Sequence, residues 1–364
     1  MNQAPVHSRP SGLRALTIGL LGLVGGLLPA AEPLVFVSGY GPEIIGLTLN
    51  ASGKFTEVSR SPGGTNPSFL AWSPDQKSLY AVNEGGGGKV VSFAINAADG
   101  KLTKTGEGNT GGNGPCHVSV HPSGKWVFAA NYGSGHVAVL PVQADGSVKD
   151  PVDAQMAGKN AHMAITDKSG AVLFVPTLGV DQVQVYKIDV ATGKLTHATS
   201  IPLAKGAGPR HCALSADEKF LYVINELGST ITAFAADLAK VAFTDIGTVP
   251  TLPADFTGKN SCAHIVIAPD GKTLYGSNRG HNSLVICRIG ADGKLTVVGH
   301  ETAGGEINTP RNFSLTPDGS LALVASQKGD VVSVLKIDPA TGLMTKIGSQ
   351  KVGPGPSFVG VMPR

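Results

Sequence analysis

The chain repeats itself. A turn such as Ser73-Pro74-Asp75 or Pro122-Ser123-Gly124, a short apolar run and then often an asparagine recur at 73–84, 121–132, 167–178, 215–226, 268–279 and 316–327. An alternating run precedes each copy, as in His117-Val118-Ser119-Val120 and His264-Ile265-Val266-Ile267, and a further strand-like run follows it, as at 182–187 and 330–335. With the opening residue of each alternating run as an anchor, the anchors are Ser68, Cys116, His162, Arg210, Ala263, Arg311 and Ser357, spaced by 48, 46, 48, 53, 48 and 46 residues. Four strands per unit at a period of roughly 40–50 residues is the pattern of a β-propeller. A solenoid would need atypical terminal caps, whereas these ends complete one another. Residues 356–361 read as a lone first strand and 34–40 as a lone second strand. Shared between the termini, they make a seventh blade and leave no free sheet edge. The expectation is an all-β, seven-bladed β-propeller occupying residues 32–364 as one domain.

Composition agrees with many short strands. The chain has 49 Gly and 24 Pro for turns, and with 5% aromatic residues its core must rest on Val, Ile, Leu and Ala. The net charge is only +3 and there is no Lys/Arg run, which points away from nucleic acid and anionic membrane surfaces. Residues 1–31 stand apart: Arg9 and Arg14 precede an apolar stretch at 15–28, and Pro29-Ala30-Ala31 offers small residues before Glu32. That order is a secretory signal peptide. An uncleaved anchor is the alternative, but the apolar run is short of the ~20 residues that span a bilayer. The mature chain is therefore expected to be exported, periplasmic or secreted, off the membrane, and monomeric. Cys116, Cys212, Cys262 and Cys287 show no CxxC or zinc spacing. They read as free buried thiols, with a Cys262–Cys287 bridge left open. No cofactor or metal is expected.

The repeat also locates a site. The innermost strand of a blade runs along the channel and the second strand returns antiparallel, so the start of one and the end of the other meet at the same mouth. In each intact copy these positions lie 16 residues apart: Ser68/Glu84, Cys116/Tyr132, His162/Leu178, Arg210/Glu226, Ala263/Arg279 and Arg311/Gln327. The split blade gives Ser357/Tyr40. Ser68, Glu84, Tyr40 and Ser357 form a mildly polar side. His162, Arg210, Glu226, Arg279 and Arg311 concentrate charge on the other, in a chain only 15% charged. A solvated ion-pair rim is one reading; a site for an anionic ester-like substrate is the other. Arg offers bidentate donors to carboxylate or phosphate. Glu226 suits a general base acting on water, and His162 suits proton donation to a leaving alkoxide. No GxSxG nucleophile elbow occurs, so a water-mediated route fits better than an acyl-enzyme. Tyr132 and Gln327 are expected to line the mouth. His117, His211 and His264, one residue past an anchor, are expected to pack between blades. The recurring Asn83, Asn131, Asn225 and Asn278 read as turn residues satisfying local backbone rather than calcium ligands.

These segments carry a resemblance. Asn66-Pro67-Ser68-Phe69-Leu70, Gly114-Pro115-Cys116-His117, Gly208-Pro209-Arg210-His211 with Asn225-Glu226-Leu227, Ser277-Asn278-Arg279-Gly280-His281 and Thr309-Pro310-Arg311-Asn312-Phe313 together resemble the 6-phosphogluconolactonase family of seven-bladed propellers, related to the carboxymuconate-lactonising cyclases. The resemblance covers nearly everything after Glu32. It implies cofactor-independent hydrolysis, or reversible closure, of sugar-acid and related lactones. The lactonising relatives place a His, an Arg, a Glu and a second Arg in the site, which by motif fall on His162, Arg210, Glu226 and Arg279. The chain departs from the family pattern at Thr177-Leu178-Gly179, where an acidic residue usually precedes Leu-Gly, and at Asn160, where a histidine is usual. The expected activity is a lactone hydrolase acting on a small anionic lactone, with Arg210, Arg311, Tyr132 and Gln327 binding substrate and Glu226, His162 and Arg279 catalytic. A lactonising isomerase and a non-catalytic exported binding propeller are the alternatives.

Overall fold

The computed structural model describes residues 1–4, 32–85 and 87–362; the proposed signal segment at 1–31 lies almost wholly outside the described residues. The rest forms seven four-stranded antiparallel sheets. Six are contiguous in sequence: blades 1 (70–109), 2 (115–156), 3 (165–202), 4 (209–250), 5 (261–301) and 6 (310–351). Blade 7 is assembled from both ends. Its inner strand is Pro356–Met362, paired with Leu34–Gly39, and Glu43–Leu49 and Phe55–Pro62 follow outward. Leu34 faces Met362 and Val37 faces Val359 in this closing register.

The packing shows why the ring closes. A four-stranded sheet that is apolar on both faces cannot stand alone in water; each of its faces must meet another sheet. The core is accordingly divided into seven clusters, one between each pair of successive blades. The last of these couples Phe36 and Phe358 of blade 7 to Leu79 and Phe93 of blade 1, so the seventh sheet packs on the first. Polar ties cross the same seams: the Tyr222 hydroxyl of blade 4 donates to Gly293 O of blade 5 at 3.0 Å, and the Tyr275 hydroxyl of blade 5 to Gly342 O of blade 6 at 2.9 Å. All four cysteines are buried and free, so no Cys262–Cys287 bridge forms. Among the described residues no helix is long and apolar enough to cross a membrane.

One local feature positions the site. The residue two before the anchor adopts a left-handed φ in six blades: Asn66 (50°), Gly114 (61°), Asn160 (62°), Gly208 (65°), Thr309 (56°) and Gly355 (64°). Gly and Asn tolerate that region; β-branched Thr309 is strained there. The anchor itself is then a β-bulge. Cys116, Arg210, Arg311 and Ser357 are each the residue skipped where the ladder shifts register. A bulge sets two residues against one on the partner strand and re-aims side chains. Alternation is broken at the mouth, so the anchor and its successor both serve the channel.

Candidate active site

The mouth is built around one carboxylate. Glu226 directly follows the second strand of blade 4, and its Oε2 lies 2.9 Å from Arg210 Nε and 2.9 Å from Arg279 Nη2. Arg210 is 3% exposed, on the inner-strand bulge of the same blade, while Arg279 ends the second strand of blade 5. Each arginine is also held by backbone: Arg210 Nη1 donates to Ala263 O at 2.6 Å and Arg279 Nη2 to Cys262 O at 2.9 Å. Among the described residues, Glu226 Oε1, Arg210 Nη2 and Arg279 Nη1 make no hydrogen bond, and the buried Nε atoms of both arginines also lack a hydrogen-bond partner, so Arg210 meets Glu226 as a close ion pair rather than an aligned hydrogen bond. A clamped carboxylate thus keeps one oxygen free, next to two guanidiniums with free N–H groups.

The remaining mouth residues complete a small pocket lined by Tyr40, Ser68, Glu84, Cys116, His162, Arg210, Arg311 and Ser357, with Phe69 and His211 as its floor. His162 is 5% exposed; burial first, and then the Arg210 charge, hold it well below the ordinary imidazole value, so it is neutral at physiological pH. Its Nδ1 is 3.5 Å from Cys116 Sγ, and its Nε2 has no partner among the described residues. The Tyr132 ring stands edge-on to it at 5.4 Å. Arg311 Nε donates to Gln327 Oε1 at 2.8 Å, and its guanidinium lies 5.4 Å from the centre of the Tyr40 ring. Arg311 makes no ion pair within 4 Å among the described residues. The Tyr40 hydroxyl donates to Glu84, at 3.2 Å to Oε2, and burial pushes it up to about 12 against the pull of Arg311. Ser68 Oγ is buried with no partner. Burial, and next Arg279, push Arg210 down to about 9, which leaves it charged at neutral pH.

This arrangement presents a free carboxylate oxygen, unpaired guanidinium N–H groups and a neutral imidazole together, as ester hydrolysis by water requires. It offers no serine elbow, and no group of three or more His, Cys, Asp or Glu side chains gathers for a metal among the described residues.

The family model for the seven-bladed β-propeller lactonases matches residues 35–361. The chain belongs to that lactonase family. As such it is a lactone hydrolase, a carboxylic ester hydrolase. It is 34% identical over 310 residues to a 6-phosphogluconolactonase of Serratia proteamaculans, spanning 84% of this chain and 91% of that protein. It is 33% identical over 318 residues to one of Yersinia pestis, spanning 86% and 92%. Among solved structures, a periplasmic gluconolactonase of Pseudomonas aeruginosa superposes with a TM-score of 0.85 at 29% identity, covering 92% of this chain and 99% of that one. A protein from Bacteroides fragilis described as a putative 6-phosphogluconolactonase gives 0.84 at 30%, covering 93% and 100%.

In this lactonase the seven residues singled out by the repeat form one connected set. Glu226 joins Arg210 and Arg279, the pocket joins Arg210 to His162 and Arg311, and Tyr132 and Gln327 lie on His162 and Arg311. Sequence reasoning left Tyr40, Ser68, Glu84 and Ser357 as a polar side without a role, though the same 16-residue offset marks them. It misplaced the histidines after the anchors. His117, His211 and His264 do not pack between blades. Phe69 of blade 1 meets His117 at 4.3 Å, His211 at 6.1 Å and His264 at 6.4 Å between ring centres. Rings from blades that are not neighbours meet only across the central channel, so these side chains form a plug beneath the site. The register shifts at Pro115/His117, Pro209/His211 and Cys262/Ile265 are the reason. Of the recurring asparagines, Asn131 Oδ1 accepts from Thr110 Oγ1 at 2.6 Å and Asn278 Nδ2 donates to Thr251 O at 2.8 Å, whereas Asn83 Oδ1 and Asn225 Oδ1 are buried without a hydrogen-bond partner. Leu178, at the position equivalent to Glu226 in blade 3, is buried and adds no charge.

Proposed function

We propose that this lactonase hydrolyses an anionic sugar-acid lactone by direct attack of water, with Glu226 as general base. The observation that carries the reading is the clamp: Oε2 is held by Arg210 and Arg279 at 2.9 Å while Oε1 is free. Clamping fixes the carboxylate in one orientation, so the free oxygen can take a proton from water with little reorganisation. The hydroxide equivalent adds to the lactone carbonyl carbon. Negative charge develops on the carbonyl oxygen, for which the free N–H groups of Arg279 and Arg210 are fixed donors. The ring C–O bond then breaks and the ring oxygen needs a proton. His162 Nε2 is unpartnered among the described residues, and a neutral imidazole carrying its proton there supports the leaving oxygen by hydrogen bonding, the Glu226-held proton returning to the alkoxide.

Arg311, which among the described residues hydrogen-bonds only the neutral Gln327 amide and makes no ion pair, is assigned to the acidic group of the substrate. The relatives named 6-phosphogluconolactonase and the Pseudomonas gluconolactonase structure support a six-carbon aldonic lactone as the substrate. The periplasmic description of the latter and the order of residues 1–31 support export with cleavage before Glu32. The test is turnover of 6-phosphogluconolactone, gluconolactone and a small lactone panel by wild type, with mass measurement of the mature chain. No turnover of any lactone would leave a binding propeller; a retained Met1 on the soluble protein would overturn export.

A further inference from the structure

Beneath the site, two histidines are arranged so that their tautomers can be read off their partners. Arg210 Nη1 lies 3.3 Å from His211 Nε2, and a guanidinium has only donors, so His211 Nε2 must accept. His211 is 1% exposed, and burial first and then the Arg210 charge hold it well below the ordinary value; it is neutral and must carry its proton on Nδ1. That Nδ1 lies 2.8 Å from His264 Nδ1. Burial likewise holds His264 at about 3, so it too is neutral, accepts at Nδ1 and is protonated at Nε2. The chain of donation runs Arg210 to His211 to His264 in one direction. It also closes on itself. Arg210 Nη1 donates at 2.6 Å to Ala263 O, the carbonyl immediately before His264. The bulge of blade 5 between Cys262 and Ile265 brings both acceptors to blade 4.

We infer that His211, braced by His264, is a positioning residue that sets the orientation of the Arg210 guanidinium and so which of its N–H groups faces Glu226 and which faces substrate. Arg210 Nε lies 2.9 Å from Glu226 Oε2 as an ion pair without an aligned hydrogen bond, and Nη1 faces the plug, which leaves Nη2 for the pocket. Without the imidazole acceptor, the side chain could rotate about its last bonds and Nη1 would keep only the Ala263 carbonyl. The inference rests on Arg210 serving the substrate as proposed above.

Two measurements on the full chain test it. Long-range proton–nitrogen correlation spectra of the histidine rings near neutral pH, assigned in the wild-type chain by through-bond correlation to the backbone, should show His211 protonated on Nδ1 and His264 on Nε2. His211 protonated on Nε2 overturns the inference, and the wild-type spectrum decides this even if a variant fails to fold. In kinetics, His211→Phe keeps a ring but no acceptor and should lower kcat/KM by about 10-fold or more, as expected for losing a hydrogen bond to a charged group. His211→Gln places an amide oxygen where Nε2 stood and should recover most of that loss, which a purely space-filling role would not predict. Arg210→Gln separates the two readings. If it turns over as wild type does, the substrate role of Arg210 fails; if it is impaired while His211→Phe matches wild type, the positioning role fails.

Discussion

Replacing Glu226 with Gln tests the centre of the site in two independent ways. The change keeps shape and removes one negative charge from between two guanidiniums, each 2.9 Å from the same oxygen. The side chains of Arg210 and Arg279 are only 4% and 9% exposed and Glu226 is 18% exposed, so water replaces the lost partner poorly. Removing one member of a buried pair costs about 3–5 kcal/mol, because the other charge is stranded. The Gln oxygen still accepts from one arginine and the mouth is partly wet, so the expected loss is at or below the lower end, about 2–3 kcal/mol. Two arginines left facing each other also predict that Glu226→Gln combined with Arg279→Met is less unstable than the sum of the single changes. On activity, loss of a general base predicts a fall in kcat on the order of 10²-fold or more. The assay is urea unfolding for stability, with lactone hydrolysis followed by acid release and corrected for spontaneous ring opening. Wild-type kcat in the variant would remove Glu226 from the mechanism. Unchanged stability, within roughly 0.5 kcal/mol, would refute the clamp as an energetic unit.

Arg311→Gln should weaken kcat/KM for a phosphorylated or carboxylated lactone by about 10-fold or more and spare an uncharged lactone; equal loss on both would show that Arg311 supports the mouth through Tyr40 and Gln327 instead. Thr309→Asn should stabilise the protein by about 0.5–1 kcal/mol in urea unfolding, because Asn66 and Asn160 hold the same left-handed turn that strains a β-branched residue at φ 56°; a loss of stability would show that the Thr side chain contributes more than the strain. His117 and His264 are each held at about 3 by burial, so between about 3 and 6.5 the unfolded chain binds protons that the folded chain refuses. Their contribution is complete above about 6.5 and is lost as pH falls, by roughly 1.4 kcal/mol per pH unit for each histidine; urea midpoints that stay flat from pH 7 to 5 would refute neutral burial of the plug.

The fold was legible because it is written seven times. Any one copy, such as Phe69-Leu70-Ala71-Trp72 before Ser73-Pro74-Asp75, is an ordinary strand and turn. The near-constant spacing and the complementary ends specify closure, and Phe36 and Phe358 meeting Leu79 and Phe93 is its packing consequence. The gathering of Arg210, Glu226 and Arg279 was legible for the same reason, since equivalent positions in successive blades must meet at one mouth. Which atom of each arginine faces the carboxylate was not, because that is set by Ala263 O, Cys262 O and His211, which come from a neighbouring strand or an irregular backbone turn.

The histidines show why strict alternation fails where the chemistry is. An undisturbed strand would have sent His117, His211 and His264 away from the face used by Cys116, Arg210 and Ala263. In blades 2 and 4 a left-handed residue two before the anchor, followed by a bulge, cancels that alternation; in blade 5 the register shift between Cys262 and Ile265 does so without one. The signal is present in Gly114-Pro115, Gly208-Pro209 and Thr309-Pro310, where a turn residue and a proline without an N–H begin the inner strand. Read as a bulge signature, it places two consecutive side chains in the channel: the first at the mouth, the second in the plug. The plug then does more than fill space. Four neutral imidazoles, those of His117, His162, His211 and His264, are held uncharged beneath or beside Arg210, and their neutrality follows from the same burial and the same guanidinium. A cationic plug would repel the three arginines above it, so keeping these rings neutral is what lets so much positive charge gather around Glu226.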